Sequence, residues 1–328
     1  MEVGAEQLYM AKVGSPLTKS SASSGSASRR PTKIPEAAAW LVWPAIVALP
    51  LYLTFGDAYL SVFPEEWLRE FEEGVTPSPL GLSLGILAVV VGQFFTLTYH
   101  WCHIRGLFTG ELVPIQKKGP EKHSFWMATA EHLSQPEGFV MLGGYLSGYW
   151  MLGLMPTSYY KFTGGIDWVA VAIQLLLQDV VQYLMHFGEH KISFALYRLS
   201  HKPHHRFTNP KLFDAFNGSA ADTFLMILIP LLVTSRVVHC NVWTYMAFGS
   251  LYANWLCLIH SEYHHPWDAV FRQIGFGTAA DHHVHHKLFV KNYGHLFMYA
   301  DWAFKTYLNP QDVSAFTGSE GGKTVKGW

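Results

Sequence analysis

Apolar and polar residues fall into long blocks along this chain rather than alternating with a period of two. Six apolar runs stand out, at 37–55, 80–102, 138–155, 167–185, 222–240 and 242–259. A helix of about 20 apolar residues crosses the hydrocarbon core of a bilayer, so the first four runs predict membrane spans. Pro44 and Pro50 predict a kink in the first run, of a kind that neighbouring helices accommodate. The last two runs predict an apolar hairpin turning near Asn241, with Arg236 and His239 at the turn leaving open whether both arms cross. The expected fold is an all-α polytopic membrane bundle of four to six spans, carrying a helical cap.

The polar blocks between the runs set the orientation. Residues 1–35 include the Ser/Gly/basic stretch SSASSGSASRRPTK, which has too little apolar surface to build a core and predicts a disordered tail. No apolar stretch follows its charges as in a secretory signal, and Glu2 and Glu6 argue against an organelle transit peptide. Between the first two runs lies an acidic loop with Asp57, Glu65, Glu66, Glu70, Glu72 and Glu73. Arg105, Lys117, Lys118 and Lys122 follow the second run, and Lys191, Arg198, Lys202, Arg206 and Lys211 follow the fourth. Basic residues stay on the cytosolic face, so the N-terminus and the stretch from His186 to His205 are expected there, and the hairpin leaves that side and returns to it with His260. This divides the chain into a tail (1–35), N-terminal spans and loops (36–165), a second region (166–310) and a flexible C-terminal tail (311–328).

Composition supports a membrane protein: 50% of residues are apolar, and only 14% are charged, against about 25% in ordinary soluble domains. The net charge of −1 offers no basic face for phosphates, which excludes a general nucleic-acid binder. The 3 cysteines (Cys102, Cys240 and Cys257) have neither disulfide-framework nor metal-binding spacing.

What changes the picture is histidine. Between residues 186 and 286 the chain repeats HxxxH (186–190), HxxHH (201–205), HxxxH (260–264) and HxxHH (282–286). On a helix, residues three and four apart share a face, so the four motifs would supply ten imidazoles, enough for two metals with about five ligands each. The predicted topology brings all four motifs to the cytosolic face. A structural zinc needs only four ligands, and hydrolytic two-metal sites normally include bridging carboxylates, which these motifs lack. A nitrogen-rich site beside lipid suits a redox metal that binds dioxygen. Ligating imidazoles usually donate their second N–H to a carboxylate or carbonyl. The candidates for that supporting role are Asp179, Glu189, Asn217, Glu262 and Asp281, together with Tyr183, which shares a helical face with Asp179 and His186. A carboxylate within an apolar run, as at Asp179, is costly and marks function. His100, His103, His123, His132, His239 and His295 lack paired spacing and read as structural, while Phe187, Phe213, Phe216 and Trp255 are candidates to line a substrate pocket. Two other classes compete. A divalent-cation transporter would place its ligands near mid-membrane rather than at span ends, and an inactive scaffold would have lost a ligand.

The series Asp179-x3-Tyr183-x2-His186-x3-His190, His201-Lys202-Pro203-His204-His205 and His282-x2-His285-His286 resembles the fatty acid hydroxylase superfamily of sterol desaturases, methylsterol oxidases and lipid hydroxylases. The resemblance runs from about 167 to 308 and includes His260-Ser261-Glu262-Tyr263 and Asn292-Tyr293-Gly294. It implies an endoplasmic reticulum membrane enzyme with two iron ions that uses dioxygen on an apolar lipid such as a sterol or isoprenoid precursor. Desaturation, hydroxylation, methyl oxidation, fatty-acyl hydroxylation and the epoxidation of squalene by the superfamily's alternative epoxidases all stay open. Electrons would come from NAD(P)H through cytochrome b5 or its reductase, as a separate protein because no HPGG haem motif occurs. The implied ligands are His186, His190, His201, His204, His205, His260, His264, His282, His285 and His286, with His265 and His283 pointing away. The chain departs from the family pattern at Phe187 (often Arg), at Glu262 (Gly in HSGY) and at Asp301-Trp302-Ala303-Phe304-Lys305-Thr306 (usually WDxxFGT), which bears on the substrate rather than the metal positions.

Overall fold

The computed structural model describes residues 34–54, 79–108, 112–162 and 164–317. The tail expected over 1–35, apart from its last two residues, lies outside the described residues, as do the acidic loop and the Gly-rich end 318–328. The described residues are helical, with isolated bridges such as Gln116–Phe316 and no strand among them.

A 3₁₀ turn (Glu36–Leu41) leads into α1 (Val42–Thr54), where Pro44 falls in the first turn and removes no intrahelical bond. Next come α2 (Pro79–Ile104), α3 (Phe125–Ser134) and α4 (Met141–Met151). The long α5 (Trp168–Lys191) starts where Asp167 accepts from the N–H groups of Val169 and Ala170. After α6 (Phe194–Leu199), the hairpin comprises α7 (Ala220–Val237) and α8 (Val242–Leu258), with Asn241 as the N-cap of α8 at the predicted turn. The cap is completed by α9 (Asp268–Gln273), α10 (Ala279–Leu288) and α11 (Tyr299–Ala303).

Among the described residues, three helices are long and apolar enough to cross a membrane: Gly81–Ile104, Trp168–Lys191 and Ala220–Val237. The other three runs form shorter helices, of 13 residues in α1, 11 in α4 and 17 in α8. Fourteen residues of α8 are buried, as expected of a helix that is apolar all round. Its polar groups are met from α2, where Gln93 Nε2 and Thr96 Oγ1 donate to Asn254 Oδ1 at 3.1 and 2.9 Å. The helices approach closely at Gly92, where a Cβ would come within 2.3 Å of Asn254 Nδ2. The two regions divided near residue 165 in the sequence are therefore packed into each other. Of the expected C-terminal tail, residues 311–317 pack on the 114–117 segment: Phe316 is buried, and the Thr317 N–H donates to Ile115 O at 2.9 Å.

Candidate metal centre

The histidine motifs converge where α5 leaves the apolar layer. His186 and His190 occupy the last turns of α5, His201, His204 and His205 the turn after α6, His260 the end of α8, and His282, His285 and His286 the helix α10. α10 is anchored by Thr278 and Asp281, which cap each other, and by Arg272, whose guanidinium donates to Asp281 at 2.8 Å.

The rings form two groups. His186, His190, His201, His205 and His285 make one, and His204, His260, His282 and His286 the other; within each, the ligand atoms lie within 4.8 Å of one another. Nε2 atoms face each other at 2.9 Å for His186–His201 and His205–His285, 3.0 Å for His260–His282 and 3.3 Å for His204–His260. The far side of each ring decides what these contacts mean. The Nδ1 atoms of His186, His204, His260 and His285 donate to the carbonyl oxygens of Tyr293, Asn217, Leu256 and Lys291, and His201 Nδ1 donates to Asp222 Oδ1 at 2.7 Å. A neutral imidazole with its proton on Nδ1 presents a lone pair at Nε2. His204 and His260 thus aim two lone pairs at each other, an arrangement that needs a cation. Nitrogen ligands about 2.1 Å from one ion, at right angles, stand about 3 Å apart. The donor set fits a metal in each group.

Electrostatics point the same way. Burial, followed by the neighbouring imidazoles, holds His205, His260, His282, His285 and His286 far below the ordinary histidine range. Burial also takes His204 down to about 4. Neutral rings are what metals bind. His201 is the exception: burial opposes its charge, but the charge and hydrogen bond of Asp222, with Glu189 behind, raise its pKa above the usual value.

Nine of the ten expected ligands are in these groups; His264 is outside both. It follows the end of α8, in a non-helical stretch where four-residue spacing carries no shared face. Its backbone N–H is held by Val113 O, and its ring faces Asp268 at 3.6 Å. His265 and His283 point away: His265 contacts Tyr99 and Leu258 O, and His283 contacts Ser261 O. Of the supporting candidates, Glu189 lies 3.9 Å from His201 Nδ1, and Asn217 serves through its backbone carbonyl while its side chain accepts from Arg206. The other four brace the scaffold. Asp179 accepts from the N–H groups of His295, Leu296 and Phe297, and Tyr183 meets Thr306 at 2.9 Å. Glu262 faces His100 and His123, and Asp281 caps α10.

Two further residues bear on the groups: Asp222, which the sequence reading did not single out, and His295, which it took as structural. Asp222, at the start of α7, is the carboxylate that orients His201; no spacing ties it to the histidine motifs. His295 has its ring 4.9 Å from both His186 and His282, between the two groups. It follows Tyr293-Gly294, whose N–H groups donate to Asp301 at 2.9 and 2.7 Å.

A pocket of about 400 Å³ opens beside the groups, lined by His201, His204, His260 and His295. Phe216 and Ile227 in its wall also line a larger apolar cavity between α2, α4, α7 and α8. Of the aromatic pocket candidates, Phe216 alone lines either cavity.

Residues 171–306 match the family model described as fatty acid hydroxylase. Over 285 residues the chain is 54% identical to an alternative squalene epoxidase of Phaeodactylum tricornutum, covering 84% of this chain and 82% of that protein. The chain belongs to the fatty acid hydroxylase superfamily. It is also 29% identical to a Delta(7)-sterol-C5(6)-desaturase of Nicotiana tabacum over 51% of this chain and 65% of that protein. With a methylsterol monooxygenase of Aspergillus fumigatus it shares 32% identity over 43% of this chain and 47% of that protein. No solved structure matches. Like these superfamily members, the chain is an oxidoreductase, and its span-length helices and histidine groups make it a membrane protein with metal-binding chemistry. Its departures from the superfamily pattern sit off the metal groups: Phe187 packs on Tyr293 with ring centroids 5.3 Å apart, and Glu262 is turned toward His100 and His123.

Proposed function

We propose that the protein is a two-iron squalene epoxidase of the alternative type, transferring one oxygen atom of dioxygen to a terminal double bond of a linear hydrocarbon. The observation that carries this reading is the 54% identity to one epoxidase over 84% of the chain, where the sterol-modifying relatives match about half of it. The five-histidine group would hold one iron and the four-histidine group the other. Bound iron would supply the reduction of dioxygen, with two electrons from NAD(P)H arriving through a separate donor such as cytochrome b5 or its reductase and the second oxygen leaving as water.

The chain's own groups do the rest. Carbonyl acceptors and Asp222 hold five Nδ1 protons outward, so these five imidazoles need no reorganisation on binding metal. Phe216 and Ile227, shared by the pocket and the large cavity, present apolar surface toward the reacting alkene and disfavour water there. A substrate dissolved in the bilayer would enter between the helices.

Expression in yeast strains that each lack one oxygen-dependent step of sterol synthesis tests the reading. Growth should return in the strain without squalene epoxidase and not in those without sterol C5-desaturase or methylsterol oxidase; rescue of either of the latter instead would reassign the reaction. In the same reading the protein sits in the endoplasmic reticulum with its N-terminus and histidine groups in the cytosol. Protease added outside sealed microsomes should therefore remove an N-terminal tag, and protection of that tag would reverse the orientation.

A further inference from the structure

The large cavity has a direction. From α8 it is lined by Val242, Met246, Gly249 and Ala253, and from α2 by Gly81 and Gly85. Steps of three and four residues put each set on one helical face. Val242 and Ala253 are eleven residues apart, so the lined stretch runs about 16 Å along α8, and His260 stands about 27 Å beyond Val242 by the same rise. The far end is floored by Trp150, which is buried and packs against Tyr160 with ring centroids 4.5 Å apart. Gly81 allows it to lie there, since a Cβ would come within 2.3 Å of the indole.

Midway the cavity is widened by absent side chains. A Cβ built on Gly85 or on Gly249 meets no atom within 4 Å, so any side chain there would occupy the bore. The lining contains no charged residue. Two of its tyrosine hydroxyls are already engaged, that of Tyr149 by Arg236 at 2.7 Å and that of Tyr252 with Gln182 at 2.9 Å. An elongated, uncharged cavity suits an unfunctionalised extended chain. A sterol would bring a rigid fused-ring body, shorter than this bore, and a hydroxyl to satisfy.

We propose that this cavity gauges substrate length: a linear isoprenoid hydrocarbon lies along α8 with one end at the histidine groups and the other on Trp150, and Gly85 and Gly249 keep the bore open. The proposal rests on the epoxidase reading for the reaction, and on the cavity alone for the shape and length of what binds.

The test uses the purified full-length protein in detergent, incubated with squalene, with the shorter linear isoprenoid farnesene or with a methylsterol. Hydrocarbon retained after washing is measured by mass spectrometry, conversion is measured separately, and iron per chain is recorded for each variant. Wild type should retain squalene in preference to the methylsterol. Gly249→Leu should lower retention of squalene relative to farnesene about tenfold, the scale on which an apolar pocket discriminates by size. Its iron content should be unchanged. Gly85→Leu, from the facing helix, should do the same and serves if Gly249→Leu fails to fold. An unchanged ratio in a variant with full iron content, or a preference of wild type for the methylsterol, overturns the channel. Retention of squalene without conversion would leave the channel standing and defeat the epoxidase reading.

Discussion

Replacing His285 or His204 by alanine should abolish turnover and lower bound iron while leaving the chain in the membrane. The two substitutions probe different groups. His285 is one of five nitrogens, held by Lys291 O at 2.8 Å with its Nε2 2.9 Å from that of His205. His204 is one of four, so its loss leaves three donors and should cost more metal than the loss of His285. Loss of supporting partners of ligands alone costs about 10–100-fold in metal affinity or activity, so removal of a ligand should exceed about 100-fold. Insertion should survive because Gly81–Ile104 and Ala220–Val237 contain neither residue. Elemental analysis of the purified protein, turnover of squalene and resistance of the membrane fraction to alkaline extraction measure the three effects. Full activity in either variant would break the assignment of the group to which that histidine belongs.

The histidine pattern was legible because imidazoles at the helical spacings three and four apart are rare and chemically specific. His186 and His190 sit on α5 as that spacing requires. The rule weakens wherever the chain is not helical. Residues 201–206 form turns, so His201 and His205 join one group while His204 joins the other. The stretch from His260 to His264 follows the end of α8, and there the spacing failed outright. On α10 the spacing also divides: His282 and His286, a full turn apart, share one group and His285 enters the second. The spans were legible as apolar runs, yet run length could not tell a lipid-facing helix from α8, which is apolar because protein surrounds it. Least legible were the supporting contacts. Asp179 lies on the same face as His186, but its three hydrogen bonds go to backbone N–H groups more than a hundred residues away. Partners of that kind are set by how segments pack, which no local spacing encodes.

Asp222 gives the sharpest case, and Asp222→Ala should lower iron affinity about 10–100-fold. Its carboxylate does two things to His201: it accepts the Nδ1 proton at 2.7 Å, which turns the Nε2 lone pair inward, and its charge helps lift the ring's pKa. Without it the ring can swap its proton to Nε2, which would then point at His186 Nε2 and block the ligand position. Asp222→Asn should be milder, because an amide oxygen can still accept from Nδ1. Glu189 lies 3.9 Å from the same nitrogen, too far for a hydrogen bond but near enough to take over by a small side-chain rotation. The effects of Asp222→Ala and Glu189→Gln should therefore couple: the double variant should lose more iron than the two single losses combined. Iron titration of all four proteins, followed by metal content and not only by turnover, measures that coupling. Additive losses would show that Glu189 plays no part, and an unaltered Asp222→Ala would mean that His201 is oriented by something other than this carboxylate.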